Sequence, residues 1–415
     1  MKNILITIVV MLTSGYFIDL QARDSTKYTG NNSEPPADVG AKPVAMPRQT
    51  SSRLFLSKKI KSDEYVLFYP ALASLDTQKK YWIVDIHGLI YEHTLLSKSM
   101  PYLSKKIIGL GKIKPAIKYK QLYKKRLAWF FIDNESRKQL TINVQGKNYT
   151  LQPSGSNGHF KGTIKIAATD VDQWVLDSFG RVSFHVLTTV HDDRVFKGKI
   201  HFIKQHGVSV ISDIDDTIKL SEVHDKKKLI RNTFFRPYKA IPGMSRSYTK
   251  WARRHQVKFH YVTSSPWQLY VPLRDFMNSK RFPPGSFHMK YFRLKDKSFF
   301  NIFSKSAKYK VESISKIMKK YPYRYFILVG DSGEKDLQVY TEINKRFPGR
   351  VNVIYIRNTG HSHQGGNHPI SATAKVIDGC PVRVFNAGQR SAKLRYHGPR
   401  SPVNNLQAVP IGIIK

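Results

Sequence analysis

Two sets of carboxylates, each placed at the end of an apolar run, are the residues in this chain best suited to chemistry. Residues 208–217 read Val-Ser-Val-Ile-Ser-Asp-Ile-Asp-Asp-Thr, so β-branched residues give way abruptly to Asp213, Asp215, Asp216 and a hydroxyl. Residues 325–336 read Tyr-Phe-Ile-Leu-Val-Gly-Asp-Ser-Gly-Glu-Lys-Asp and end on Asp331 and Asp336. Carboxylates are almost never buried unpaired, so both sets are expected where a strand emerges from its sheet. In open α/β sheets that carboxyl end is where ligands bind. Asp213 and Asp215, two residues apart, both face one site once the chain leaves the strand. Like charges so close call for a cation, and an all-oxygen donor set suits Mg²⁺. Gly330 and Gly333 let the backbone approach closely and turn tightly into a helix.

The elements that must hold these groups follow from period and punctuation. From Gly207 onward, apolar runs at 259–263, 326–330 and 351–356 alternate with helical patterns near 245–255, 268–278, 308–320 and 336–346. That alternation implies an α/β fold with a parallel sheet and helices on both faces. Residues 60–205 differ. Strand-like runs at 65–69, 81–86, 88–91, 140–144, 147–151, 159–166, 181–189 and 195–203 are split by turn signals such as Gln145-Gly146 and Ser156-Asn157-Gly158. A basic, helix-like stretch over about 93–127 interrupts them. A mostly antiparallel β-sandwich with a helical insertion is expected there, and no catalytic constellation is visible in it.

The ends of the chain read more simply. Lys2 precedes an apolar run over 4–12, far short of the ~20 residues that span a bilayer, and this reads as a secretory signal over 1–22. Residues 23–59 read as a flexible linker, and 359–415 as a largely flexible basic tail with one strand-like run at 380–385. Export to the periplasm or the exterior, peripheral to membranes, is the expectation. The lone Cys380 leaves no internal disulfide to form. His361, His363 and His368 lie close together, but no Cys or acidic partner completes a metal set, so they are assigned to the tail.

Charge narrows the partners. Lys and Arg number 69 against 29 Asp and Glu, a net +40, while 41% hydrophobic and 12% aromatic residues exclude wholesale disorder. Acidic partners follow: an anionic phospholipid surface, phosphorylated substrates and, as a second candidate, nucleic acid. Residues 231–239 and 289–300 interleave cations with aromatics, and Phe234, Phe235, Phe299 and Phe300 are expected to enter a lipid interface. The competing reading of the same rings is amphipathic core packing.

Asp213, Asp215 and Thr217 form Asp-x-Asp-x-Thr, which resembles motif I of the haloacid dehalogenase superfamily. The longer string from Gly207 to Ile218 is similar to the catalytic domain of the actin-patch-associated phosphatidate phosphatases of fungi and many bacteria. Residues 330–336 resemble motif IV. Residues 261–267, Tyr-Val-Thr-Ser-Ser-Pro-Trp, resemble motif II, with Thr263 at the matching hydroxyl and Ser265 as an alternative. Lys310 matches the motif III lysine, with Lys308 as its rival. The run Gly-His-Phe-Lys-Gly-Thr from Gly158 also looks like the region preceding that catalytic domain.

The resemblance implies a Rossmann-like catalytic domain over 206–358 and a Mg²⁺-dependent phosphatase that converts phosphatidate to diacylglycerol and phosphate. It implies Asp213 as nucleophile and Asp215 as acid and base. It also implies Mg²⁺ on Asp213, Asp331 and the Asp215 backbone carbonyl with Asp336 in support, and Thr263 and Lys310 on the phosphoryl group. Asp216 and Thr217 are expected to shape the turn. Two alternatives stand beside this: a phosphatase for soluble or nucleic-acid phosphomonoesters, and a catalytically silent basic module that binds membranes.

Overall fold

The computed structural model describes residues 60–93, 116–189, 191–291, 306–360 and 375–386. All of them lie in one compact unit within residues 55–415. The expected signal, the linker, the three tail histidines, Phe299 and Phe300 lie outside the described residues.

Period-two burial organises the first part. Val182, Phe184 and Val186 of one strand are buried while their neighbours are not, as a half-buried pleat requires. Nine strands join in one sheet: β1 (Glu64–Phe68), β2 (Ala71–Leu75), β3 (Tyr81–Glu92), β4 (Asp133–Asn134), β5 (Thr141–Val144), β6 (Lys147–Thr150), β7 (His159–Ala167), β8 (Arg181–Val186) and β9 (Lys197–Phe202). The pairing path runs β1-β3-β2-β9-β8-β5-β6, with β4 and β7 also on β3. Every pairing is antiparallel except β2 with β9. Val84, Ile142, Phe160, Phe184 and Ile200, drawn from across this path, share one apolar cluster. Among the described residues of the expected helical insertion, the turn Ile117–Tyr119 and α1 (Lys120–Ala128) are helical.

The second sheet is α/β and mostly parallel. Its order is β12-β11-β10-β13-β14-β16-β15, with β10 (Gly207–Ser212), β11 (Lys258–Pro266), β12 (Gly285–Lys290), β13 (Arg324–Asp331), β14 (Val351–Asn358), β15 (Lys375–Ile377) and β16 (Cys380–Asn386). Only the β15–β16 hairpin is antiparallel. Both faces are covered. Ile327, Val329, Val353 and Tyr355 pack with Tyr248 and Trp251 of α2 (Met244–His255) and with Leu273 and Phe276 of α3 (Tyr270–Ser279). Phe326, Leu328, Ile354 and Ile356 point the other way. They meet Ile314 and Met318 of α4 (Ser306–Lys320) and Val339 and Ile343 of α5 (Asp336–Arg346).

Arg324 clamps the lower end of β10. Its guanidinium donates to Lys204 O, His206 O and Val208 O, and to Ser209 Oγ at 2.9 Å. Register is fixed there, opposite the end that carries the carboxylates. The strand-like run at 380–385 is a strand, β16, and β15 pairs with it. β16 runs parallel to β14 with Cys380 and Val382 buried, because these two apolar residues extend the cluster beneath the sheet.

The two sheets also share core. Tyr69, Leu89 and Tyr91 of the first part lie in the same cluster as Trp267, Tyr270 and Leu273, and Leu72 and Ile203 join the opposite one.

Candidate active site

β10, β11 and β13 lie side by side and end together, and each delivers a polar residue at that end. Asp213 leaves β10 directly, and its backbone N–H donates to Val329 O of β13. Thr263 and Ser265 close β11, and Asp331 closes β13. Lys310 from α4 and Asp336 from the first turn of α5 complete the group. Gly330 permits this approach, because a Cβ there would overlap the Asp336 carboxylate.

Lys310, 2% exposed, lies at the centre. Its Nζ is 2.8 Å from Asp213 Oδ1, 2.7 Å from Glu334 Oε2 and 2.5 Å from Asp336 Oδ1. Lys308, the rival, is exposed. Asp331 Oδ1 accepts from the N–H groups of Gly333 and Glu334, and Asp336 Oδ2 accepts from Asp331 N–H. Two buried oxygens of the site, Oδ2 of Asp213 and Oδ2 of Asp331, find no hydrogen-bond donor among the described residues, and Asp213 Oδ1 meets the Lys310 ammonium. Asp213, Asp331 and Asp336 each offer an oxygen within 4.8 Å of the others. Four carboxylates thus gather around one buried ammonium. Open oxygens and excess negative charge together fit a divalent cation with oxygen preference.

The carboxylate of Asp215, whose backbone carbonyl was the expected ligand, lies outside the three-residue cluster. Oδ2 accepts from Thr263 Oγ1 and Ser265 Oγ, both at 2.8 Å, and Oδ1 from Ser221 Oγ at 2.7 Å, with Lys219 Nζ 2.8 Å away. Thr263 and Ser265 therefore both converge on Asp215. Asp216 shapes the turn, as expected. It takes φ +55 and accepts from the N–H groups of Ser221, Glu222 and Val223, while Arg357 of β14 donates to its carbonyl. Thr217 is buried with its hydroxyl unpartnered.

The electrostatics separate the two motif I aspartates. Burial, with Asp336, Glu334 and Asp331 nearby, pushes Asp213 well above the usual carboxylate range despite Lys310. Asp331 and Glu334 rise for the same reason, burial among like charges. Burial also acts against ionised Asp215, but Lys219 and the Ser221 and Ser265 hydroxyls outweigh it and hold this group at about 2. A consequence follows for the metal-free protein. Raised carboxylates contribute stability that is complete below about pH 4 and is lost as pH rises through their folded values. The melting temperature of chelator-treated protein, compared with protein in saturating Mg²⁺, is expected to fall further behind as pH rises from about 5 to 8. A gap that narrows over that window contradicts the charge excess.

Sequence reasoning missed Glu334, Lys219 and Ser221. Glu334 stands inside the Gly-Asp-x-x-x-x-Asp string, and its acidic type was the available signal. Lys219 and Ser221 follow motif I directly but reach Asp215 only through the turn that Asp216 caps. The expectation for Phe234 and Phe235 is overturned. Both are buried, at 0% and 3%, in the core between α1 and the second sheet, against Phe130 and Tyr123. The turn Arg231–Phe235 winds so that Asn232, Thr233, Phe234 and Phe235 all face inward.

Residues 208–358, which contain every one of these site residues, match the family model described as phosphatidate phosphatase APP1, catalytic domain. The Saccharomyces cerevisiae phosphatidate phosphatase APP1 is 36% identical over 165 residues, 39% of this chain and 28% of its own length. An uncharacterized protein of Schizosaccharomyces pombe is 31% identical over 183 residues, 42% of this chain and 29% of its own. The chain thus spans under a third of the curated relatives it matches. Among solved structures, a beta-glucuronidase of Parabacteroides merdae aligns at 10% identity and a TM-score of 0.23, over 70% of this chain and 34% of its own, which carries no argument.

Proposed function

We propose that this chain is a Mg²⁺-dependent phosphatase of the haloacid dehalogenase type that hydrolyses phosphatidate through an aspartyl phosphate. The observation that carries the reading is the Asp213 carboxylate, 1% exposed, with Oδ1 on the Lys310 ammonium at 2.8 Å and Oδ2 without a hydrogen-bond donor among the described residues. Leaving a buried carboxylate oxygen without a donor is costly, and the lone pairs of Oδ2 stay open for attack on phosphorus. The family match over 208–358 and the name of the yeast relative support the substrate.

In this scheme an Asp213 oxygen bonds to phosphorus as the bond to the diacylglycerol oxygen breaks. The alkoxide takes a proton from Asp215. Water then attacks phosphorus, gives its proton to Asp215, and releases inorganic phosphate and free Asp213. Mg²⁺ held by Asp213, Asp331 and Asp336 would supply positive charge that offsets the phosphoryl oxygens. Lys310 adds to that charge at the nucleophile. Thr263 and Ser265 orient Asp215. Held at about 2, Asp215 is ready as the base of the second step. As the acid of the first it must gain a proton, and the negative phosphoryl group brought beside it raises its affinity for one. The +40 charge supports action at an anionic lipid surface, and the apolar run over 4–12 supports export.

Phosphate release from phosphatidate vesicles, soluble phosphomonoesters and phosphorylated oligonucleotides tests the reading. Phosphatidate is expected to turn over fastest, to stop with chelator and to recover with Mg²⁺ but not with Zn²⁺ alone. Faster release from the soluble panel would remove the lipid assignment, and none from any would leave a silent module. Within the same assay, Asp215→Asn should slow alkyl phosphates far more than p-nitrophenyl phosphate, because nitrophenolate leaves without a proton. Equal losses on both would argue against acid catalysis by Asp215.

A further inference from the structure

A cavity of about 630 Å³ lies between α1, the loop bearing Pro237 and Tyr238, and α3. That volume falls in the range of roughly 300–1,000 Å³ usual for small-molecule sites. Leu122, Trp129, Val271, Pro272 and Phe276 give it an apolar wall, and Lys125 and Lys280 also line it. The one acid in the lining, Asp275, is paired with Arg274 at 2.8 Å.

Arg126 is the unusual member. It is 4% exposed, and its Nη1 donates to Thr233 O at 2.8 Å and Arg236 O at 2.7 Å. Its guanidinium stacks 3.6 Å from the centre of the Tyr238 ring. Its Nε has no partner, nor does the buried Tyr238 hydroxyl. Among the described residues no carboxylate pairs with Arg126, and burial lowers its pKa with only Tyr238 acting the other way. A buried guanidinium without a counter-ion is costly. An anion in the cavity would offset that charge, while the apolar wall asks for a chain attached to it.

The cavity is not the phosphoryl site. Tyr238 stands between the two, with Lys219 Nζ 5.0 Å from its ring, and Lys219 in turn pairs with Asp215.

We propose that this cavity binds a long-chain anionic amphiphile, with its charged head on Arg126 and its chain along the wall of Trp129 and Phe276. The proposal does not depend on the phosphatase reading, because binding is measured without turnover.

The probe is cis-parinaric acid, a fluorescent polyene fatty acid, titrated into the full chain below its micellar concentration. The tryptophans, Trp129 in the cavity wall among them, serve as energy-transfer donors. Saturable transfer is expected, with the uncharged methyl ester binding at least tenfold more weakly. Arg126→Met should reduce binding of the acid to the level of the ester. Val271→Trp, which adds bulk to the α3 wall of the cavity, should abolish saturable transfer, and it decides the matter if Arg126→Met does not fold. Equal affinity for acid and ester would overturn the role of Arg126. Binding to Val271→Trp as tight as to the wild type would overturn the site. Displacement of the probe by sulfate alone, at the concentration that decanoate requires, would reduce the cavity to a simple anion site.

Discussion

Asp213→Asn is expected to lower turnover by roughly 10⁴-fold or more while leaving the protein folded, since it removes the attacking oxygen. The stability side of this result is as specific as the catalytic side. Asp213 is one of four carboxylates around Lys310, and its pKa lies well above the ordinary range because burial and three like charges oppose its ionisation. A neutral amide in that place relieves repulsion, so the metal-free variant should melt no lower than the wild type. Phosphate release together with calorimetry in chelator checks both halves. Residual activity within tenfold of wild type would end the covalent scheme. A large drop in melting temperature with lost activity would mean that Asp213 holds the fold.

Lys310→Met is expected to behave in the opposite manner. Its ammonium lies within 2.8 Å of Asp213, Glu334 and Asp336, and no other cation is paired with these three among the described residues. Removing one partner from a buried ion pair costs about 3–5 kcal/mol, because the remaining charges stay buried without compensation. The variant should therefore lose activity and also melt well below the wild type in chelator. Adding Asp336→Asn to Lys310→Met should recover part of the stability and none of the activity, a coupling that a double-mutant cycle measures. A Lys310→Met protein as stable as the wild type in chelator would place the ammonium outside the cluster.

The residues that carry this argument were legible because strand ends are legible. β-branched runs that stop at Asp213, Thr263 and Asp331 mark one end of one sheet, and a parallel sheet brings such ends together whatever the loops do. Choosing Lys310 over Lys308 required the helix itself, which turns one lysine inward and the other out. β12 escaped notice because Ser286 and His288 interrupt its apolar pattern. They are buried or half-buried, and they satisfy one another and His260, with Ser286 Oγ 2.8 Å from His260 Nδ1 and 2.9 Å from His288 Nε2. Phe234 and Phe235 were misread for a related reason. Aromatics interleaved with cations look alike on a membrane-facing loop and on a tight helical turn, and only the winding of Arg231–Phe235 decides which way the rings point.

Tyr69 of the first sheet sits 4.1 Å, centre to centre, from Trp267, two residues beyond the Ser265 that holds Asp215. Such a junction makes the halves cooperative, and denaturant should unravel them in one transition. Evolution and engineering then face the same constraint. A chimera that keeps the α/β half but borrows a foreign β half inherits an unmatched ring contact two residues from Ser265. Swapping the modules amounts to rebuilding a hydrophobic core.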